Sequence, residues 1–165
     1  MSENTLVGDD AIVAARAFVG ATVAEVHRVL YSFGGAVEPD DGALQLTFDQ
    51  GHILRLDGAA DGERLACALE RWRDPFTAEK MTPENQTYLE EHGKWGLVEL
   101  THSEPWSRIV GEQLLSVEPI GSRFGVTIGA LLSFTRGEVV IYVQSDETRV
   151  VWGREGLPNW GKGTI

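Results

Sequence analysis

A chain that repeats itself folds into similar units, and this one repeats. Residues 19–34, VGATVAEVHRVLYSFG, align without a gap on residues 110–125, VGEQLLSVEPIGSRFG. Val19, Gly20, Val26, Phe33 and Gly34 recur as Val110, Gly111, Val117, Phe124 and Gly125. Val23 and Val29 keep their apolar character as Leu114 and Ile120. The match resumes with residues 46–51 against 132–137, 52–56 against 138–142, and 61–65 against 146–150. Two copies of one pattern imply two copies of one supersecondary unit. The length difference falls at Glu38-Pro39-Asp40-Asp41-Gly42, a turn-rich segment where an insertion costs little.

The repeat decides segments that are ambiguous in isolation. Residues 22–31 have helical as well as strand character, but their counterpart carries Pro119, which would break a helix interior. Residues 22–31 and 113–120 are therefore expected to be strands, with the proline at an edge or a bulge. Strands are expected at 43–48 and 126–134, each closing through a glycine turn onto a returning strand at 52–56 or 138–143. Val139-Val140-Ile141-Tyr142-Val143 has the β-branched and aromatic content of a buried strand. A fourth strand is expected at 64–72 and at 148–152. In the first of these, Leu65, Cys67 and Leu69 alternate with smaller or polar neighbours as in a half-buried strand.

Each unit is expected to open with a helix, at 11–18 behind Asp9-Asp10 and at 103–110 behind Ser103 and Pro105, where caps and an early proline favour a start. Between the units, Thr82-Pro83 starts a helix that Gly93 ends, and residues 95–100 add a strand. The glycine-rich residues 153–165 are expected to form a mobile tail unless something holds them. The expected fold is α+β and β-rich, one domain over 1–165. It comprises two helix-plus-antiparallel-meander units, 9–72 and 103–152, in a pseudo-twofold relation, with a helical connector at 73–102.

Charge narrows the function. Twenty-five acidic residues against fourteen basic ones leave a formal net charge of −11. Such a surface repels phosphate backbones, which argues against a nucleic-acid partner, and it attracts a basic protein. No apolar run has the length of a membrane span. The N-terminus has no basic region followed by an apolar core, and Cys67 is the single cysteine, which together point to the cytoplasm.

Signs of catalysis are missing from the sequence. His27, His52, His92 and His102 have no zinc-motif spacing, and His52 reads as an exposed strand residue. Cys67 lies on an apolar alternating strand, the setting of an inert thiol. No nucleophile elbow, phosphate-binding loop or dinucleotide fingerprint is present. No metal or cofactor is expected. Acidic clusters stand at Glu38-Asp40-Asp41, Asp57-Asp61, Glu90-Glu91 and Asp146-Glu147, in turn-rich sequence where carboxylates also serve simply to stay hydrated. Of the five tryptophans, Trp72, Trp95, Trp106 and Trp152 are expected in packing, and Trp160 in the tail is a candidate anchor.

The string from Val110 to Val117, a G-x-x-L-x-x-V strand, continues into Gly129–Phe134, Gly137 and Asp146-Glu147. It resembles a pattern in small bacterial immunity proteins that neutralise polymorphic toxins, and it covers about a third of the chain. The resemblance implies an acidic, non-catalytic inhibitor that fits over the active-site cleft of a toxin, typically one that consumes NAD or degrades nucleic acid. On this reading Glu38, Asp40, Asp41, Asp57, Asp61, Asp146, Glu147 and Trp160 are the partner-binding residues. The second reading is a small-ligand-binding or regulatory β-domain with its ligand between the units. The third is a hydrolase or transferase built from scattered side chains.

Overall fold

The computed structural model describes residues 4–157. Over that range the fold is β-rich, with two α-helices and two antiparallel sheets. Strand β1 (Leu6–Val7) leads into helix α1 (Asp9–Arg16), which has acids in its first turn and Arg16 in its last, the charge order that suits the helix dipole. Its inward face is narrow and small: Ala11, Ile12 and Ala15 are buried. Strands β2 (Val23–Phe33), β3 (Ala36–Glu38), β4 (Leu44–Phe48), β5 (Ile53–Gly58) and β6 (Leu65–Ala68) follow. Helix α2 (Pro83–His92) and strand β7 (Lys94–Glu99) complete the first half. The second half holds β8 (Leu114–Gly121), β9 (Thr127–Phe134), β10 (Gly137–Gln144) and β11 (Glu147–Trp152).

The first sheet runs β1-β6-β5-β4-β2, with β3 and β7 also paired to β2. The second runs β11-β10-β9-β8. Their inward side chains share one core: Val26, Leu46, Phe48, Leu54 and Leu56 from one sheet, Val117, Leu132, Phe134, Val139 and Ile141 from the other, closed by Ile12 and Ile109. Alternation puts these residues on one face of each strand.

The two sheets meet where β2 and β8 begin. Around a bridge between Thr22 and Gln113, the Gly20 N–H donates to the Leu114 carbonyl and the Gly111 N–H to the Val23 carbonyl, both at 2.8 Å. The Val23 N–H donates to Glu112 and the Leu114 N–H to Ala21, both at 3.0 Å. Immediately beyond, β2 slips register between Val23 and Glu25, and β8 between Leu114 and Ser116. Such bulges bend the strand that carries them.

The outer faces are covered differently. On the first sheet, the segment after β6 crosses back over the strands: the Trp72 N–H donates to Gln45 Oε1 (2.8 Å) and Arg55 Nη1 to the Glu70 carbonyl (3.1 Å). On the second, Ile120, Ile128, Leu131, Val140 and Tyr142 form a smaller cluster under Leu157.

Several expectations are corrected. Residues 103–110 are not a helix but a single 3-10 turn at Trp106–Arg108. The segment between Ser103 and Gly111 is seven residues long, contains no alanine and ends in β-branched Ile109-Val110, too little length and propensity to offset helix nucleation. The expected turn-rich insertion begins with β3, which pairs with the end of β2. The strand expected at 64–72 ends at Ala68, and Leu69 turns outward to 50% exposure.

The matching of residues 52–56 to 138–142 is off by one. Leu46 pairs with Leu54 and Leu132 with Val139, so Leu54 and Leu56 face the core as Val139 and Ile141 do. The cause is turn length: β4 turns through Asp49-Gln50-Gly51 with Gln50 at φ 73°, whereas Phe134 pairs directly with Gly137.

Part of the expected tail is held. Gly153 N–H donates to the Glu138 carbonyl, Arg154 pairs with Glu138 at 2.7 Å, and Leu157 is buried. Trp160 lies outside the described residues. Trp106 and Trp152 are half-buried and pack edge-to-face on each other against the shared core, as expected, whereas Trp72 is half-buried and Trp95 exposed.

Candidate functional site: the acidic end

Three segments that are far apart in sequence come together at one end of the molecule: residues 38–42 from the last residue of β3 onward, residues 57–64 from the end of β5 onward, and the β10–β11 turn. Thr148, buried at the start of β11, joins them. Its backbone N–H donates to Asp41 Oδ1 (2.7 Å) and its hydroxyl to Asp57 Oδ1 (2.9 Å). Its hydroxyl also accepts from the Gly58 N–H (3.0 Å), and its carbonyl accepts from the Gly42 N–H (3.0 Å). The β10–β11 turn places Ser145 and Asp146 at φ 52° and 66°, the two-residue hairpin geometry that aspartate tolerates. The Asp146 N–H then reaches the Gly62 carbonyl (3.3 Å).

The loop at 38–42 is clamped from beneath. Arg28 is buried at the end of β2's pairing with β4, and its guanidinium donates to the carbonyls of Pro39 (2.7 Å) and Gly42 (2.9 Å). A buried arginine needs such partners, and burial lowers its pKa while the nearby Asp41 and Asp40 work against that shift. Arg149 adds a bond to the Asp40 carbonyl (3.2 Å) and an ion pair with Glu147.

The result is a small cleft of about 210 Å³ lined by Asp41, Asp57, Asp146 and Thr148 together with Trp72 and Trp95. Asp57 is open to solvent on one side, yet crowding around its carboxyl raises its pKa, against hydrogen bonds from Gly58 and Thr148 and the charge of Arg55. Asp61 is the opposite case. Arg64's guanidinium, then the backbone N–H groups of Arg64 and Glu63, hold it at about 2. Asp61 therefore stays ionised and caps its own turn. These segments carry eight carboxylates and Arg64, and with Arg149 of β11 two arginines in all, so this end holds about half of the net charge.

Seven of the expected partner-binding residues, Glu38, Asp40, Asp41, Asp57, Asp61, Asp146 and Glu147, thus gather at this end, with Glu38 exposed at the close of β3, while Glu90 and Glu91 lie apart on α2. Sequence reasoning missed Thr148, Arg28 and the placing of Trp72 and Trp95 in one cleft. The first two are single polar residues in ordinary strand sequence, and nothing local marks them as organisers of three loops.

Two histidine and cysteine expectations hold: His52 is exposed, and Cys67 is buried with its thiol pushed up to about 11 by burial. His27 was not singled out from the others. It is buried on the outer face of the first sheet, where desolvation and the Arg71 charge lower its pKa against Glu25 and Glu99. Among the described residues no group of three or more His, Cys, Asp or Glu is placed to hold a metal ion, and no helix is long and apolar enough to cross a membrane. Comparison with known proteins finds no matching family model, no matching curated protein and no matching solved structure.

Proposed function

We propose that this chain is a non-catalytic immunity or inhibitor protein that acts in the cytoplasm by binding and neutralising a basic bacterial toxin domain, one that consumes NAD or degrades nucleic acid. The observation that carries the reading is the convergence of acidic loops from both halves through Thr148. A concentrated negative surface accelerates encounter with a basic partner and disfavours acidic ones. The clamps from Arg28 and Thr148 preorganise the loops, which lowers the ordering cost on binding.

We also read the two halves as copies of one unit about a pseudo-twofold axis at the Thr22–Gln113 bridge. The four hydrogen bonds there interchange when each residue is replaced by its aligned counterpart, and the two bulges fall at aligned positions. On this reading the acidic end lies on the axis, opposite the bridge.

The test is capture of the partner by the full chain, followed by inhibition of that partner's activity. A stoichiometric basic domain should be retained, released by moderate salt, and inhibited one-to-one. The Glu38→Lys/Asp40→Lys double variant, altered only at exposed side chains, should associate at least tenfold more slowly at low salt. Capture that ignores both salt and this variant would refute the acidic end as the binding face.

A second reading, a small-ligand-binding domain, has one observation in its favour: Trp72 and Trp95 line the same cleft as Asp57. A melting transition raised by an organic cation would support it.

A further inference from the structure

Phe124 is three-quarters exposed, the most exposed large apolar residue among those described. It sits in the β8–β9 loop on the rim of a cleft of about 520 Å³ whose floor is Ile128 and Val143 and whose far wall includes Glu63 and Gln144. The cleft therefore opens beside the acidic end, between the 57–64 loop and the β10–β11 turn. The loop is not slack: Ser122 Oγ accepts from the N–H groups of Phe124 (3.2 Å) and Val126 (3.3 Å), and the Ser122 N–H donates to the Val126 carbonyl (2.8 Å). Arg123 lies over the Phe124 ring at 5.0 Å. A phenylalanine held by an ordered loop above an apolar floor is the anatomy of an interface anchor.

The first half indicates what such an anchor is built to meet. Phe33, aligned with Phe124 and likewise followed by a glycine, also borders a cleft, of about 550 Å³. There the chain supplies a helix: Leu89 of α2 and Met81 just before it line the same cleft as Phe33. Phe33 is 51% exposed against 75% for Phe124. The Phe124 cleft is lined by strands and loops alone.

We propose that the Phe124 cleft receives an amphipathic helix of a protein partner, in the role that α2 plays beside Phe33. The helix presents a leucine- or methionine-like side chain to Ile128 and Val143. It carries lysines or arginines on its flanks, because the adjoining 57–64 segment and β10–β11 turn hold the five carboxylates of Asp57, Asp61, Glu63, Asp146 and Glu147 against the one guanidinium of Arg64. This assignment rests on the inhibitor reading above and adds the apolar contact that charge alone does not supply.

The experiment titrates the isotope-labelled full chain with a short amphipathic helical peptide of leucine and lysine. A scrambled peptide of the same composition and a glutamate-for-lysine version serve as controls. Amide shifts should concentrate at residues 122–128 and 143–146. Phe124→Ser should weaken binding about tenfold, while Phe33→Ser leaves it unchanged and the scrambled peptide binds no better than to Phe124→Ser. Shifts centred elsewhere, or equal affinity for Phe124→Ser and the parent, would overturn the proposal. A captured toxin that binds parent and Phe124→Ser alike would overturn this cleft while leaving the inhibitor reading standing. Peptide binding at the cleft with no toxin captured would do the reverse.

Discussion

At the residue scale, the acidic end depends on groups that look unremarkable in sequence. Thr148 ties two segments, 41–42 and 57–58, to its own hairpin through one N–H, one carbonyl and one hydroxyl. Thr148→Val keeps its shape and its backbone bonds but removes the hydroxyl. The Gly58 N–H keeps its 2.7 Å bond to Asp57 Oδ1, so the expected loss is about 1–2 kcal/mol in denaturant unfolding. Because that hydroxyl donates to the ionised carboxyl, the Asp57 pKa should rise further, which a carboxyl-carbon NMR titration reads directly. His27 gives the second prediction. Its pKa is lowered in the folded chain from the usual 6.5, so the unfolded chain binds the proton more readily. Its contribution is fully present above about pH 6.5 and is lost as pH falls through the lower folded value. Melting temperature measured between pH 8 and pH 5 should therefore fall more steeply for the parent than for His27→Gln, and equal slopes would reject the assignment.

At the element scale, α2 and β9 are opposites. Helix α2 contains no buried residue, and its start rests on Thr82, whose hydroxyl accepts from the Asn85 N–H (3.1 Å). Thr82→Ala should cost about 1 kcal/mol locally. Hydrogen exchange should register that loss as faster exchange in α2 with little change in global melting, since a helix with so little packing opens independently of the core. Strand β9 has no such freedom. A Cβ on Gly129 would overlap the Ile141 carbonyl of β10, within the pairing that builds the second sheet. Gly129→Ala should cost at least about 2 kcal/mol in global unfolding. A near-neutral result would mean that β9 and β10 do not approach as closely as described.

At the scale of the whole molecule, the net charge of −11 sets solution behaviour. Self-repulsion is concentrated where the acidic loops meet, so salt should raise the melting temperature while slowing association with a basic partner. Measuring both between about 0.05 and 0.5 M salt checks that one charge distribution governs the two effects.

Much of the framework was legible locally. Pro119 excluded a helix over residues 113–120 and, through the alignment, over residues 22–31, and the Thr82-Pro83 start and Gly93 stop of α2 lie where their chemistry places them. Strand spacing and hairpin turns follow from short-range backbone preferences, which a linear pattern encodes. The failures are of two kinds. The one-residue slip at Leu54 came from a turn whose length depends on Gln50 adopting a left-handed conformation, and the missing helix at 103–110 came from nucleation losing to its flanking constraints.

The sequence by itself determined where most strands lie, the Thr82 cap of α2, the acidic surplus and which segments are apolar on one face, because each is written in the residues themselves or their near neighbours. Only the tertiary structure decided that Asp41, Asp57 and Asp146 share one cleft, that Arg28 clamps the loop above it, and that Phe124 overhangs an apolar floor. Those outcomes depend on how two bent sheets close over a common core. Contacts between residues about a hundred positions apart are set by that packing, and no local pattern carries them.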